Sequence, residues 1–427
     1  MTGPAQIPKL VDHLFRHEAG KIVSVLTKLF GPASLDLAED VVQDSLVEAM
    51  EHWQYRGVPD NPSAWLFRVA RNKALNVLNR ETYKRQYRSH ATHFLKSELL
   101  TEPHLDHLFS EQEIQDDQLR MIFTCCHPSI APDSQIALAL KTLCGFSIPE
   151  IAKAFLTSEE NINKRLTRAR QNIRDAKAVF EIPHGKNLEM HLNTVLETIY
   201  LLFNEGYSAS KGNDIIRYEL CEEAIRLAQI LIAGRTIQHK ETVHALLALM
   251  IINASRFKAR QDKDGNLLTL AEQNRSLWNK QMLSLGLGHL AEAAKNDSIS
   301  VYHIHAAISA QYSVAADYGS TDWCNILSFY DSLLQLDNSP VVLLNRAIVV
   351  SKVHGVEQAL AELEKIKADP AFKSYHLFYS TLAEFHIQDN NLTNASALLE
   401  KAIELAPLQS ERELLKKKLR YCREKNK

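Results

Sequence analysis

Arg68, Arg71, Asn72, Lys73, Asn76 and Arg80 stand within one short stretch of the chain. Lys and Arg neutralise phosphates, and the amide of Asn pairs with a base edge, so these residue types point to nucleic acid. Trp53, Tyr55 and Trp65 flank the loop before this row, Arg56-Gly57-Val58-Pro59-Asp60-Asn61-Pro62. Aromatic groups beside a proline-bounded loop suit the capture of an unstacked base. Burial in a core is the other reading of the two tryptophans, and both stay open. A second basic set, Lys164, Arg165, Arg168, Arg170, Arg174 and Lys177, follows further along. A set of different character, Asp40, Gln43, Asp44 and Glu48, recurs at i, i+3, i+4 and i+8. It forms one helical face that suits a basic partner helix; an ordinary solvated acidic face is the alternative.

Residues able to make or break bonds are harder to assemble. Cys125-Cys126-His127 invites a metal or redox reading, but adjacent ligands on a helix point in different directions and no second ligand pair accompanies them. Asp262, Asp264 and Asn266 resemble the start of a calcium loop whose glycine and closing glutamate are misplaced. No phosphate-binding glycine motif or nucleophile elbow occurs. The expectation is a protein that binds, without catalysis, metal or cofactor of its own.

These faces must be carried by helices. Glycine is scarce, 14 in 427 residues, and 45% of residues are hydrophobic, which together favour a helical globular chain. The formal net charge of −2 hides sorted charge. Residues 96–118 are acidic, 164–177 basic, and the tail from Arg412 to Lys427 basic. No apolar run approaches the ~20 residues of a membrane span, and six cysteines without framework spacing suggest reduced thiols. A cytoplasmic protein without membrane partners is expected.

Periodicity predicts helices over 8–30, 34–53 (Leu37, Val41, Val42, Leu46 and Met50 inward, Glu39 outward) and from Ser63 to about Tyr87. A second helical cluster spans 113–181 and contains a helix-turn-helix pattern. Ser147 to Ala154 is its first helix, Phe155-Leu156-Thr157 the turn and Ser158 to Lys177 the second helix. In that second helix Ile162, Leu166, Ala169 and Ile173 lie on the buried side. Ile182-Pro183-His184-Gly185 reads as a linker, Gly206 as a helix C-cap, and Asp264-Gly265 as a hairpin turn. From 188 onward helix follows helix. Tyr379, Leu382, Ala383, His386, Ala395, Leu399, Ala402 and Pro407 fit the offsets of a tetratricopeptide repeat, and Leu343, Ala347, Ala359, Leu363 and Ile366 form a unit before it.

Three strings now carry a resemblance. Ala38-Glu39-Asp40-Val41-Val42-Gln43-Asp44 resembles the polymerase-binding helix of the extracytoplasmic-function sigma factors, in the sigma-70 family of bacterial RNA polymerase. Ala64-Trp65-Leu66-Phe67-Arg68-Val69-Ala70-Arg71-Asn72 resembles that family's −10 helix, and Glu150 to Arg170 its −35 helix-turn-helix. Thr124-Cys125-Cys126-His127-Pro128 and Leu202-Phe203-Asn204-Glu205-Gly206-Tyr207-Ser208 are similar to a subgroup with a C-terminal helical-repeat extension.

The resemblance implies an all-α fold: a region 2 domain at 8–88, an acidic linker at 89–112, a region 4 domain at 113–181 and a tetratricopeptide-like regulatory domain at 188–427. It implies binding to core RNA polymerase, through the β′ clamp helix and β flap, and to promoter DNA. It assigns polymerase contact to Asp40, Gln43, Asp44 and Glu48, and −10 contact to Trp65, Arg68, Arg71, Asn72, Lys73, Asn76 and Arg80. It assigns −35 contact to Glu160, Asn161, Lys164, Arg165 and Arg168, entering the major groove. The expected function is promoter-specific initiation, with the extension acting in cis and taking a protein or peptide ligand. The competing expectation is a conventional helix-turn-helix regulator with a repeat-type interaction domain.

Overall fold

The computed structural model describes residues 7–86, 110–155, 157–207, 216–263, 267–296, 298–373, 375–406 and 409–425. The fold is all-α. Among the described residues the one extended pairing is a bridge between Gln261 and Leu267. That bridge closes the ends of the expected hairpin, whose turn, Asp264-Gly265, lies outside the described residues, as does most of the expected linker at 89–112.

The chain divides into two compact units, residues 1–201 with 233–237, and residues 202–232 with 238–427. In the first unit α1 (Ile7–Phe30) packs against α2 (Leu35–Arg56), α3 (Pro62–Gln86), α4 (Glu111–Cys125) and α5 (Pro132–Thr142). Helices α6 (Ile148–Ala154) and α7 (Glu159–Asp175) form the helix-turn-helix. Its ends are held as the local sequence dictates. The Ser147 hydroxyl accepts the Glu150 amide while the Glu150 carboxylate accepts the Ser147 amide, a capping box, and Ser158 accepts the Asn161 amide to start α7. Ile162, Leu166, Ala169 and Ile173 are all buried, as their period requires.

Helix α2 departs from expectation. Met50, read as inward, is 37% exposed, while Glu39, read as outward, is 9% exposed. The buried stripe runs through Leu35, Ala38, Val42, Ser45, Leu46, Ala49 and Trp53. Small residues carry much of it, and they allow close approach without advertising burial by hydrophobicity. The last residues of the acidic stretch 96–118 open α4 at Glu111, close to the expected start of the second helical cluster at 113, and Asp117 there is fully buried.

Helix α8 (Lys186–Tyr207) starts directly after the expected linker, and the first unit continues along it to Leu201. Its Thr198 hydroxyl donates to the Gln135 side chain at 2.9 Å, and Val195, Leu196 and Ile199 are buried. Within the second unit, α9 (Tyr218–Ala233) meets the end of α8 at Gly206. A Cβ there would stand 2.7 Å from Cys221 Sγ and 2.9 Å from the Arg217 carbonyl. Gly206 therefore serves close helix packing inside α8, and the expected C-cap is not what is found.

Helices α10 (Glu241–Ala254), α11 (Lys280–Ala293), α12 (Val301–Val314), α13 (Trp323–Leu333), α14 (Pro340–Val353), α15 (Val356–Ile366), α16 (His376–Gln388), α17 (Leu392–Leu405) and α18 (Gln409–Lys425) follow. Sequential neighbours pack on one another. One core runs from Ile304 to Phe385, and a second joins Ala383, Ala395, Leu399, Ala402, Leu415 and Cys422.

Candidate nucleic-acid interface

Helix α3 begins where Pro62 ends the loop, and the Asn61 side chain accepts the Ala64 amide at 3.0 Å, which fixes the helix start. Leu66, Ala70 and Ala74, four residues apart, face the core. The complementary row, Arg68, Asn72, Asn76 and Arg80, also steps by four and is exposed. Trp65 is half-buried at the head of this row. Its ring sits edge-on to the fully buried Trp53, centroids 5.3 Å apart, and tilted against His52 at the same separation. Trp53 is thus core, and Trp65 is held by it at the surface. Tyr55, outside the expected set, is 88% exposed at the end of α2 beside the loop. Arg71 and Lys73 are half-buried, and Lys73 pairs with Glu48 at 2.8 Å, joining the basic row to the acidic face.

On α2, Asp40, Gln43, Asp44 and Glu48 all reach solvent on one face. Val47, between them, is 54% exposed. A single exposed apolar residue is ordinary on a protein surface; this one lies on the same face as the four polar residues. Sequence reasoning missed it because one valine among charges breaks no pattern.

On α7, Glu160, Asn161, Lys164 and Arg168 are exposed and Arg165 is half-buried. The Asn161 side-chain amide donates to the Thr157 hydroxyl at 2.7 Å. Lys164 pairs with Glu160 at 2.7 Å and Arg165 with Asp133 at 3.3 Å. Further along, Arg170 Nη2 donates to Glu39 Oε2 at 2.7 Å and its Nε lies 2.7 Å from Asp36 Oδ1. Burial pushes the Glu39 carboxyl up, with Arg170 opposing it.

Cys125 and Cys126 are buried, and Cys125 Sγ lies 3.1 Å from the Thr142 hydroxyl. Burial pushes the Cys126 thiol up to about 12, the opposite of an activated thiolate. Among the described residues no group of three or more His, Cys, Asp or Glu side chains is placed to hold a metal ion. No described helix is long and apolar enough to cross a membrane.

Residues 14–83 match Sigma-70 region 2, residues 120–173 match Sigma-70, region 4, and residues 191–294 match a family of unknown function, DUF6596. An uncharacterized protein of Rhizobium meliloti (strain 1021) is 35% identical over 385 residues, covering 88% of this chain and 88% of that protein. No solved structure matches the chain. The region 2 match covers most of α1 and the exposed faces of α2 and α3, and the region 4 match covers the helix-turn-helix. With both regions present in order, the chain belongs to the sigma-70 family of transcription initiation factors, which bind core RNA polymerase and recognise promoters.

Proposed function

We propose that this is a sigma factor of the extracytoplasmic-function type, acting in the cytoplasm, whose region 2 domain spans 8–88 and region 4 domain 113–181, with a tetratricopeptide-like extension from 188. In this reading Asp40, Gln43, Asp44 and Glu48, around the exposed Val47, meet a basic helix of the polymerase β′ clamp. Trp65, Arg68, Arg71, Asn72, Lys73, Asn76 and Arg80 serve the −10 element, with backbone phosphates taken by the cations and base edges by the amides. Glu160, Asn161, Lys164, Arg165 and Arg168 serve the −35 element in the major groove, while region 4 also meets the β flap. Bond-forming chemistry stays with the polymerase.

The observation that carries this reading is the exposed row Arg68, Asn72, Asn76 and Arg80, headed by a surface-held Trp65. A regulator that only docks a helix-turn-helix has no use for such a row on a separate helix. Asp44→Arg tests the polymerase face. It reverses one charge on an exposed residue, so folding persists while core affinity falls at least tenfold in a pull-down; unchanged affinity removes this face from the interface. Run-off transcription with purified core enzyme tests the whole, since a conventional regulator confers no initiation.

The extension is proposed to act in cis and to take a protein or peptide ligand. Fusion gives a high effective concentration, so weak contacts suffice, and stacked helix pairs present concave surfaces. A chain ending at Leu201 keeps Thr198 against Gln135 and is a cleaner truncation than one ending at Lys186. Initiation and promoter occupancy equal to the full-length chain, with and without inducing conditions, would sink the regulatory role.

A further inference from the structure

The second unit holds an arginine cluster that none of the faces above uses. Arg256 and Arg260 follow α10, and Arg275 precedes α11. The Asn279 amide donates to the Ser255 carbonyl at 2.8 Å, which clips the second stretch onto the first. The cluster's shared neighbours are aromatic. Arg260 lies 3.8 Å over the Tyr207 ring, and Arg275 and Arg256 stand 4.6 and 5.9 Å from the Trp278 ring centre. Phe257 meets Tyr207 and Tyr218, with ring centres 6.0 and 5.1 Å away. Tyr207 comes from the Leu202–Ser208 string, and the three arginines lie inside the stretch matched as a family of unknown function.

These charges are not answered. Arg260 is 8% exposed, and the groups that act on it are Tyr207, Arg256, Cys221 and Tyr218, with no carboxylate among them. It donates one N–H to the Tyr207 carbonyl. Arg256 donates to the Tyr207 hydroxyl at 2.9 Å and to the Asn253 side-chain oxygen at 2.5 Å, both uncharged. Arg275 donates to the Tyr312 and Ala315 carbonyls at 2.8 and 2.6 Å. Asp317 acts on Arg275 through space, but its carboxylate accepts the Ser320 amide at 2.7 Å. Among the described residues no ion pair engages any of the three. Three donors are buried without a hydrogen-bond partner among the described residues: Arg256 Nε, Arg275 Nη2 and the indole N–H of Trp278, itself 6% exposed.

A desolvated cation without a counter-charge is unfavourable, and orphaned buried donors are rare in folded proteins. Stacking on aromatic faces offsets part of the cost, about 2 kcal/mol for a desolvated pair, but supplies no acceptor oxygen. Other arginines of the same unit are answered by carboxylates: Arg217 by Glu205, and Arg346 by Asp331 and Glu362. What the cluster lacks is negative charge carried on several oxygens. A guanidinium fork takes two oxygens of a phosphate or carboxylate in one plane, and an indole N–H adds a further donor. Arg256, Arg275, Tyr207 and Phe257 are each only half-buried and Tyr218 is 42% exposed, so the cluster is within reach of solvent.

We propose that Arg256, Arg260, Arg275 and Trp278 form a binding site for a small oxyanion, a molecule bearing a phosphate or carboxylate group. The anion supplies the counter-charge that the fold withholds. Arg256 is the central contact, because it reaches both Tyr207 and Trp278. Tyr207 ends α8, the helix that begins in the first unit, so occupancy of the site orders the end of that helix. Binding needs neither polymerase nor DNA, and the proposal stands apart from the sigma reading.

The test is calorimetry on the full-length chain with sodium pyrophosphate and, separately, sodium citrate, against sodium chloride at matched ionic strength. Saturable one-to-one binding of at least one probe is expected, with chloride silent. Pyrophosphate alone marks a phosphoryl ligand, and citrate alone a carboxylate one. Arg256→Gln removes the central fork and weakens binding at least about tenfold. Trp278→Phe keeps an aromatic ring and removes the N–H, so the fold persists and affinity falls roughly fivefold. Should Arg256→Gln not fold, Trp278→Phe carries the test alone. Thermal unfolding supplies a second readout: the probe raises the melting temperature of the wild type and leaves that of Arg256→Gln unchanged. A cluster that merely cements the fold gives no such rise. Binding of neither probe, or binding that neither variant weakens, overturns the site.

Discussion

Helices α3 and α7 both present Arg, Lys and Asn to solvent, yet their cations stand in different company. On α3, Arg68 and Arg80 flank Asn72 and Asn76 on an exposed row, and among the described residues no ion pair engages either arginine. On α7, Lys164 is balanced by Glu160, Arg165 by Asp133, and Arg170 and Arg174 by Asp36. Of the α7 cations expected at DNA, Arg168 has no such carboxylate among the described residues. Counting basic residues would rank the two helices alike. Counting the carboxylates within reach leaves Arg68 and Arg80 of α3 available, although Lys73 is held by Glu48, and shows more of the α7 cations committed, so DNA must displace protein partners from α7 at more positions before it gains contacts there.

The largest expected effect lies on α3. Arg68→Ala with Arg80→Ala removes two uncommitted cations, each worth ~1–3 kcal/mol at a DNA contact. Initiation from a cognate promoter should fall roughly a hundredfold. A loss no larger than that of the corresponding α7 pair, Arg165→Ala with Arg168→Ala, would erase the distinction between the helices.

A smaller effect separates residues within α7. Arg168→Ala should weaken a −35 fragment more than Arg165→Ala, because Arg165 must first leave Asp133. Asp133→Asn should then improve binding about two- to threefold, since an exposed pair is worth only ~0–1 kcal/mol. The slope of affinity against salt should steepen at the same time. Footprints indifferent to all three changes would take both arginines out of the interface.

What could be read in the sequence divides along the same line. The buried stripe of α7 was legible because four apolar residues repeat at helical period and a cap marks each helix start. The α3 row was legible because its polar residues repeat on the same step. Glu39 was not legible: whether a carboxylate is covered depends on Arg170, 131 residues away, and no periodicity reports such a contact. Gly206 misled for a related reason. A glycine near a helix end reads as a cap, whereas here the approach of Cys221 from the next helix sets the requirement. The extent of the first unit was hidden likewise, because Thr198 reaches Gln135, 63 positions earlier. Local chemistry was visible, and long-range partners of charged and small residues were not.

The most local effect concerns the ionic contact on the other side of the first unit. Asp117 is fully buried between α1 and α4, facing Lys28, Arg120 and Glu113. Desolvation raises its carboxyl from 3.8 to about 6, against the pull of Lys28 and Arg120. The folded chain thus holds this proton more tightly than the unfolded chain. A raised folded value stabilises fully below the unfolded value, and that contribution is lost as pH rises towards about 6. Other carboxylates with depressed values act in the opposite direction, so the wild-type curve alone is not diagnostic. Asp117→Asn supplies the difference, because an amide does not titrate and Lys28 keeps Glu113 as its partner. Hydrogen exchange in α4, corrected for the intrinsic dependence of exchange on pH, reads it locally. Relative to the Asn variant, wild-type protection should fall between about pH 4 and pH 6 and run parallel to it above. Parallel curves across the whole range would mean that Asp117 titrates as it does in water, and that the α1–α4 joint is more open than its burial implies.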